Sequence, residues 1–313
     1  MVRTPRFIVS MMAISILFVI AGCSPETGSV TSSTVQVEDS TTTSPAGTTS
    51  STSTTVTTNP GSTPGPETTT SQLLAVGDWG SGTLPQGAVA GAMSRHSEDH
   101  EVEAILTTGD NFYSDDAEFL IEPYVWAIED GVPFWITWGN HDIETAARVD
   151  AVNEVFDSPP RWSVQEWGGV DVIILDSTQI DSAEQREFLI QSLADSEDPT
   201  IVVFHHPVLS CVERGDARVM DEWVAEFDEE VFLVINGHDH SYQRFEDGGV
   251  TYVVTGGGGA TLQDPTECGV DHPEQLAGGS LHHFLVLDQS DGFTLTALDV
   301  NGEVFDEVEL ELP

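Results

Sequence analysis

The sequence predicts an α/β protein made of two packed sheets with helices on their outer faces. Three observations carry this expectation. Short apolar runs alternate with helical stretches through most of the region able to fold, and strands alone follow them. Five fragments bearing Asp, Asn, Tyr or His each stand directly after one of those runs. The first 71 residues form two non-globular pieces, which leaves 72–313 for folding, enough for one large domain with a substantial core.

Residues 1–22 combine Arg3 and Arg6 with an apolar stretch over 7–21 and small residues before Cys23. A basic start, an apolar core and a small-residue cut site predict a secretory signal peptide. The ending Ile20-Ala21-Gly22-Cys23 resembles a bacterial lipobox, which implies lipidation of Cys23 and cleavage before it. An uncleaved anchor is the alternative, but about fifteen apolar residues fall short of the ~20 that span a bilayer. In either case the chain is expected outside the cytoplasm, tethered to a membrane as a cell-surface or periplasmic lipoprotein. Residues 23–71 are mostly Ser and Thr with Pro and Gly. They cannot bury enough apolar surface to fold and are expected to form a disordered linker.

Within the folding region, strand 72–77 leads into a helix over 85–97, with Ala88, Val89, Ala92 and Met93 on one side. Strand 103–108 precedes a helix over 117–129, and strand 133–138 a helix over 144–155. A hairpin pairs 162–167 with 170–175 across Gly168-Gly169. Ser182 as N-cap, with Gln185 three residues on, marks a helix over 182–194 by an approximate capping box. Strand 200–204, helix 216–227 and strand 231–235 end the alternation, and strands 250–254, 283–287, 293–298 and 304–310 complete the chain.

Composition narrows the partners. There are 53 acidic residues against nine basic ones, a formal net charge of −44, and every basic residue is arginine. Binding to nucleic acid needs a basic patch and is therefore excluded. Nearly all the acids fall in the folding region, where salt screens their mutual repulsion, so stability is expected to rise with NaCl. Cys211 and Cys268 fall in loops of an exported chain, where a disulfide can form; two free thiols are the alternative.

The five fragments are Gly77-Asp78-Trp79-Gly80, Gly109-Asp110-Asn111-Phe112-Tyr113, Gly139-Asn140-His141-Asp142, Val202-Val203-Phe204-His205 and Gly237-His238-Asp239-His240. In open α/β sheets, functional groups gather just beyond the carboxyl ends of the strands. Here that rule brings together oxygen and nitrogen donors, enough of them for two metals. Each fragment alone is a weak signal, because Gly-Asp after a strand is often a turn. Five in order are specific.

In order and residue type the set resembles the purple acid phosphatases of the calcineurin-like metallophosphoesterase superfamily, whose pattern is GDxG, GDxxY, GNH(D/E), VxxH and GHxH. The first two fragments are most similar to the small, single-domain members. The resemblance implies a four-layer α/β/β/α sandwich of two packed mixed sheets. It also implies hydrolysis of phosphomonoesters, with a small phosphorylated substrate and a centre of Fe(III) plus divalent Fe, Zn or Mn. Carried over residue by residue, Asp78, Asp110, Tyr113 and His240 would hold the first metal. Asp110 would bridge to the second, which Asn140, His205 and His238 complete. Many other metallophosphoesterases have a histidine two residues after the first Asp. Gly80 stands there in this chain, and Tyr113 supplies the missing ligand as a hard anionic oxygen suited to Fe(III). The implied reaction is in-line attack on phosphorus by a metal-bound hydroxide. His141 would face the substrate, binding phosphate or protonating the leaving group.

One position departs from the pattern. Small members carry a second histidine nine residues after the VxxH histidine, and counting from His205 reaches Arg214. Arginine can clamp phosphate but cannot donate a proton at working pH. Protonation would then fall to His141 or to His206, for which a structural role is the alternative. His282 and His283 are read as structural, His96, His100 and His272 as surface residues, and Trp135 and Trp138 as core. Residues 256–259 are read as a Gly-rich turn near the metals. The combined expectation is an exported, lipid-anchored phosphomonoesterase. A phosphodiesterase or nucleotidase on the same scaffold, and a surface lipoprotein that only binds, are the alternatives.

Overall fold

The computed structural model describes residues 71–212, 219, 222–265, 268 and 273–313. The expected leader, Cys23 and the linker up to residue 70 lie outside the described residues, as do Arg214, His272 and residues 216–218, 220 and 221 of the expected helix 216–227, whose described end is a 3₁₀ turn at Val224–Glu226.

Two mixed sheets form the centre. In the first, β1 (Gln72–Val76), β2 (Val102–Thr107) and β3 (Phe134–Trp135) run parallel. Antiparallel β11 (His283–Asp288), β12 (Phe293–Asp299) and β13 (Val304–Leu310) extend it in the order β13-β12-β11-β1-β2-β3. The second sheet has the order β10-β8-β9-β7-β6-β5-β4. Its parallel centre is β5 (Val170–Ile174), β6 (Thr200–Val203), β7 (Val231–Asn236) and β9 (Val250–Thr255). Antiparallel β4 (Ser163–Trp167), β8 (Tyr242–Asp247) and β10 (Gln275–Gly279) complete it.

Side chains alternate across each strand, and both faces are covered. Leu73 and Ala75 of β1 join Leu106, Val203, Ile235 and Leu285 in the core between the sheets. Leu74 and Val76 point the other way, onto Val89 and Met93 of α1 (Leu84–Ser97). On the far side, Val202 and Val234 meet Leu189 and Leu193 of α5 (Ala183–Asp195). Burial on both faces explains why the strands read as continuous apolar runs, and it gives the four layers that the sequence implies. Among the described residues no helix is long and apolar enough to cross a membrane. Cys211 and Cys268 are joined by a disulfide across a sequence separation of 57, which the chain-entropy model values at roughly 4 kcal/mol.

Several elements differ from expectation, each for a local reason. The helix expected over 117–129 is α2 (Ala117–Ile121), a 3₁₀ turn at Glu122–Tyr124 and α3 (Val125–Asp130), broken where Pro123 lacks an N–H. Thr145 caps α4 (Ala146–Val155), so that helix starts two residues late. β3 keeps only two residues, because the Thr137 N–H donates to the Thr107 hydroxyl at 3.1 Å rather than to a neighbouring strand. β8 and β10 were not expected: YQRFED mixes charge with aromatics, and QLAGG is a half-exposed edge. Ala88 faces solvent, and Ala90 takes its place in the buried stripe of α1. Ser182 does cap α5 by accepting from the Gln185 N–H at 3.3 Å. The Gln185 side chain does not return the bond; it turns to the Asp176 backbone, at 2.6 and 3.0 Å.

Candidate metal centre

The fragments lie at the carboxyl ends of β1, β2, β3, β6 and β7, so all seven expected donors meet at one edge of the packed sheets. They form two triangles. Asp78 Oδ1, Tyr113 Oη and His240 Nε2 stand 3.0, 3.1 and 3.3 Å from one another. Asn140 Oδ1, His205 Nε2 and His238 Nδ1 stand 3.0, 3.0 and 3.3 Å apart. Asp110 joins them, with its Oδ1 at 3.4 Å from His205 Nε2. Asp78, Asp110 and His205 together bring three donors within 4.8 Å of one another.

Close approach of the loops dictates the glycines before the donors. A Cβ on Gly109, whose φ is +95°, would stand 2.6 Å from His205 Nδ1. One on Gly139 would stand 2.2 Å from the Asp110 carboxylate. Three donors, Asp78, Asp110 and His238, themselves occupy the left-handed region with φ of 57°, 52° and 69°. Non-glycine residues reach it only at a cost, and such strain clusters at functional sites.

The donor set fits metal cations. Ligands about 2.0–2.2 Å from a metal stand roughly 3.0–3.5 Å from their neighbours in tetrahedral or octahedral geometry, which matches both triangles. The imidazoles are also pre-set. His205 Nδ1 is held by the Thr108 carbonyl at 2.8 Å and His240 Nδ1 by the Thr261 carbonyl at 2.8 Å. Each carbonyl fixes the proton on Nδ1 and turns the Nε2 lone pair inward, the usual arrangement behind a ligating histidine.

Electrostatics point the same way. Burial opposes ionisation of Asp110, but facing His205 overrides it and holds the carboxyl well below its ordinary range. Burial would lower His205, yet the charge and hydrogen bond of Asp110 push it up to about 10. Burial raises the Tyr113 phenol far above its ordinary value, and the Asp78 and Asp110 carboxylates add to this. Without a cation His205 and Tyr113 therefore keep their protons while Asp110 is ionised; a bound cation would displace those protons.

A buried hydrogen-bond network ties three of the loops together. Asp142 is fully buried and accepts from the backbone N–H groups of Gly139 and Phe112 at 2.8 and 3.0 Å and from Asn111 Nδ2 at 2.8 Å. Asn111 also donates to the Thr137 carbonyl at 2.8 Å and accepts from Trp79 Nε1 at 3.1 Å. Burial first and Asp110 second raise the Asp142 carboxyl to about 7. Nothing in the sequence pattern singles out these groups, although Trp79, Asn111 and Asp142 each sit inside a fragment. Nor does the pattern point to Thr261 or to Gln263, whose Oε1 accepts from the His240 N–H at 2.7 Å.

The other expected residues lie at the rim of the cluster, elsewhere in the fold or outside the described residues. His141 lies at the rim, 37% exposed, with its ring 4.4 Å from that of Tyr113. Glu144 accepts from its Nδ1 at 3.0 Å, and its Nε2 stands 4.0 Å from Asp110 Oδ2. His206 Nδ1 meets the Ser177 hydroxyl at 2.8 Å, and its ring stands 4.6 Å from that of His238. Arg214 lies outside the described residues. His283 is buried, with Nε2 on the Thr255 hydroxyl at 3.0 Å, and Gly257 packs against it. His96 is half-buried rather than on the surface, bonded to Gln72 at 2.7 Å and stacked on His100. Trp138 is core, while Trp135 is only partly buried, against the separate core between the sheets.

A four-layer sandwich carrying a cluster of Asp, Asn, Tyr and His donors along one edge of its sheets is the architecture of a metallophosphoesterase. The chain belongs to the calcineurin-like phosphoesterase family, whose model matches residues 72–242, more than half of its length. Enzymes of that family use a dinuclear metal centre. Among its relatives, Purple acid phosphatase 3 of Arabidopsis thaliana is 23% identical over 233 residues, spanning 60% of this chain and 63% of that protein. The match thus covers less than two-thirds of that relative's length. "Probable cyclic nucleotide phosphodiesterase syc0937_d" of Synechococcus is 31% identical over 165 residues, 49% of this chain and 60% of that one. Among solved structures, "GAP50 the anchor in the inner membrane complex of Plasmodium" superposes with a TM-score of 0.65 at 20% identity. It covers 78% of this chain and 89% of its own, a likeness of fold.

Proposed function

We propose that the chain is an exported, lipid-anchored phosphomonoesterase working with Fe(III) and a divalent Fe, Zn or Mn ion. The observation that carries this reading is the Tyr113 hydroxyl, 3.0 Å from Asp78 and 3.1 Å from His240. Gly80, two residues after Asp78, has no side chain to offer, so the phenol completes that triangle. When bound, the two cations would acidify a water molecule and neutralise charge on the phosphoryl oxygens.

The chain's own residues would orient the ester. Asp110 lies between the triangles and keeps them in register, helped by the His141 N–H on its Oδ1 at 2.8 Å. Glu144 holds the His141 ring by Nδ1, which turns Nε2 toward the donor cluster, where it can bind a phosphoryl oxygen. Arg148 braces Glu144 at 2.6 Å and the His141 carbonyl at 3.1 Å, keeping that ring in place.

The identity to the Synechococcus protein supports a phosphodiesterase as the second reading. Turnover of p-nitrophenyl phosphate against its bis ester separates the two. Preference for the monoester is expected; preference for the diester overturns that reading, and no turnover of either after metal loading supports a binding lipoprotein. Anchoring is read from residues 1–23 and is tested by Cys23→Ser, which should release the protein from the membrane fraction.

A further inference from the structure

His240 is held by a segment that lies outside the five fragments. Its Nδ1 proton goes to the Thr261 carbonyl at 2.8 Å, and its backbone N–H to Gln263 Oε1 at 2.7 Å. The Gln263 N–H returns a bond to the His240 carbonyl at 2.8 Å, and the Ala260 N–H donates to the Asp78 carbonyl at 3.0 Å. Residues 260–263 thus touch two donors of the same triangle, although they belong to no helix or strand. Beyond Gln263, Asp264 and Cys268 are exposed, and Pro265 is buried. Cys268 makes a sulfur contact of 3.8 Å with Gln275 Oε1 and a disulfide with Cys211. The Cys211 end is fixed. It is 6% exposed, in the cluster of Phe204, Trp223 and Phe245, and its N–H donates to Gln243 Oε1 at 2.6 Å. Gln243, fully buried on β8 just after His240, also donates to the hydroxyls of Ser210 and Ser241 at 3.1 and 3.0 Å.

We propose that Cys211 and Cys268 are a positioning pair for the metal centre: their disulfide anchors the segment that aims His240, and reducing it weakens metal binding on the Asp78, Tyr113 and His240 side alone. The proposal rests on the donor assignment and not on the identity of the metals or of the ester. The bond joins a residue packed in the core to an exposed one, so it carries the rigidity of the core out to the segment. One hydrogen bond is worth about as much as ordering one residue costs, so the segment's own bonds do not fix it without the cross-link. The other triangle leans elsewhere, since His205 Nδ1 is held by the Thr108 carbonyl at 2.8 Å. The exposed sulfur also makes the bond reachable by a small dithiol. A thiolate of the dithiol attacks Cys268 Sγ, forming a mixed disulfide and releasing the Cys211 thiolate, which takes up a proton. The second thiol of the reductant then closes its own disulfide and releases Cys268, which is protonated in turn. The protein bond gains two electrons and two protons, and the dithiol loses them.

The test needs no substrate. In the metal-free full chain, hydrogen exchange read by NMR should be at least about tenfold faster at the His240 and Gln263 N–H groups when Cys211→Ser and Cys268→Ser are combined. The Gly237 N–H, bonded to the His205 carbonyl at 2.9 Å, should exchange as in wild type. Reducing the folded metal-free wild type with dithiothreitol should give the same change, and reoxidation should reverse it, so the result does not depend on the double variant folding. With metals loaded, competition against a chelator should show one of the two metals held about tenfold more weakly in the double variant and the other unchanged. Unchanged exchange at His240, or equal acceleration at Gly237, would overturn the anchor and leave the disulfide a general brace. Equal weakening of both metals would overturn the assignment to the His240 side. A wild type that holds no metal would overturn the metal half of the proposal together with the donor assignment.

Discussion

The two triangles of the centre have nearly the same shape and opposite electrostatic character. Each has edges of 3.0–3.3 Å. The triangle of Asp78, Tyr113 and His240 supplies a carboxylate and a phenol, and solvent reaches it through a His240 side chain 20% exposed. That of Asn140, His205 and His238 supplies neutral donors only, with His205 wholly buried. Anionic oxygens suit a hard trivalent ion, and imidazole with amide suits a divalent one. On the function proposed above, this contrast would sort two metals by the charge of their donors while the geometry stays constant.

The largest effect is expected where the contrast is bridged. Asp110→Asn keeps the shape but removes the shared charge, so both sites should lose metal and kcat/KM should fall by about a thousandfold or more. Metal content and turnover measured on the same preparation would check this. Retention of both metals would show that the bridge is not needed.

Next comes the buried network behind the loops. Asn111→Leu removes one donor to Asp142 and the acceptor for Trp79 while touching no donor atom of the centre. Metal affinity should drop roughly 10–100-fold, the usual effect of losing a partner that orients ligands. Competition against a chelator measures it.

A smaller, graded effect is expected with pH. In the metal-free chain burial would deprotonate His205, but Asp110 outweighs it and keeps the pKa near 10, so the ring is protonated at neutral pH. Tyr113 keeps its proton as well. Protons and cations therefore compete for the same atoms. Loading at neutral pH should release protons, and affinity should rise as pH rises, by about tenfold per unit for each proton displaced. A pH-stat titration reads both.

Much of this was legible in the sequence because it depends on adjacency. Strands buried on both faces are apolar runs, and the side chains at their ends sit next to those runs, so β1, β2, β6 and β7 and the seven side chains that meet at the sheet edge could be read locally. What escaped depends on contacts between distant segments. Gln263 holds His240 from 23 residues away, and Ser177 holds His206 across 29. Gln185 looked like half of a capping box because its alternative partner, the Asp176 backbone, lies in a different turn. β10 pairs only at an edge, where its weak pattern is supported by β8. Pro123 was a local signal, and it breaks the helix where its missing N–H requires.

The most direct test of the unequal triangles is the visible spectrum of the purified, metal-loaded protein beside that of Tyr113→Phe, with metal analysis of both. Wild type should carry two metals per chain, one of them iron, and show a violet or pink tyrosinate-to-Fe(III) band. Tyr113→Phe should lose the band while the divalent ion stays bound. A colourless iron-loaded wild type, or a band that survives in Tyr113→Phe, would contradict the assignment of iron to the Asp78, Tyr113 and His240 side.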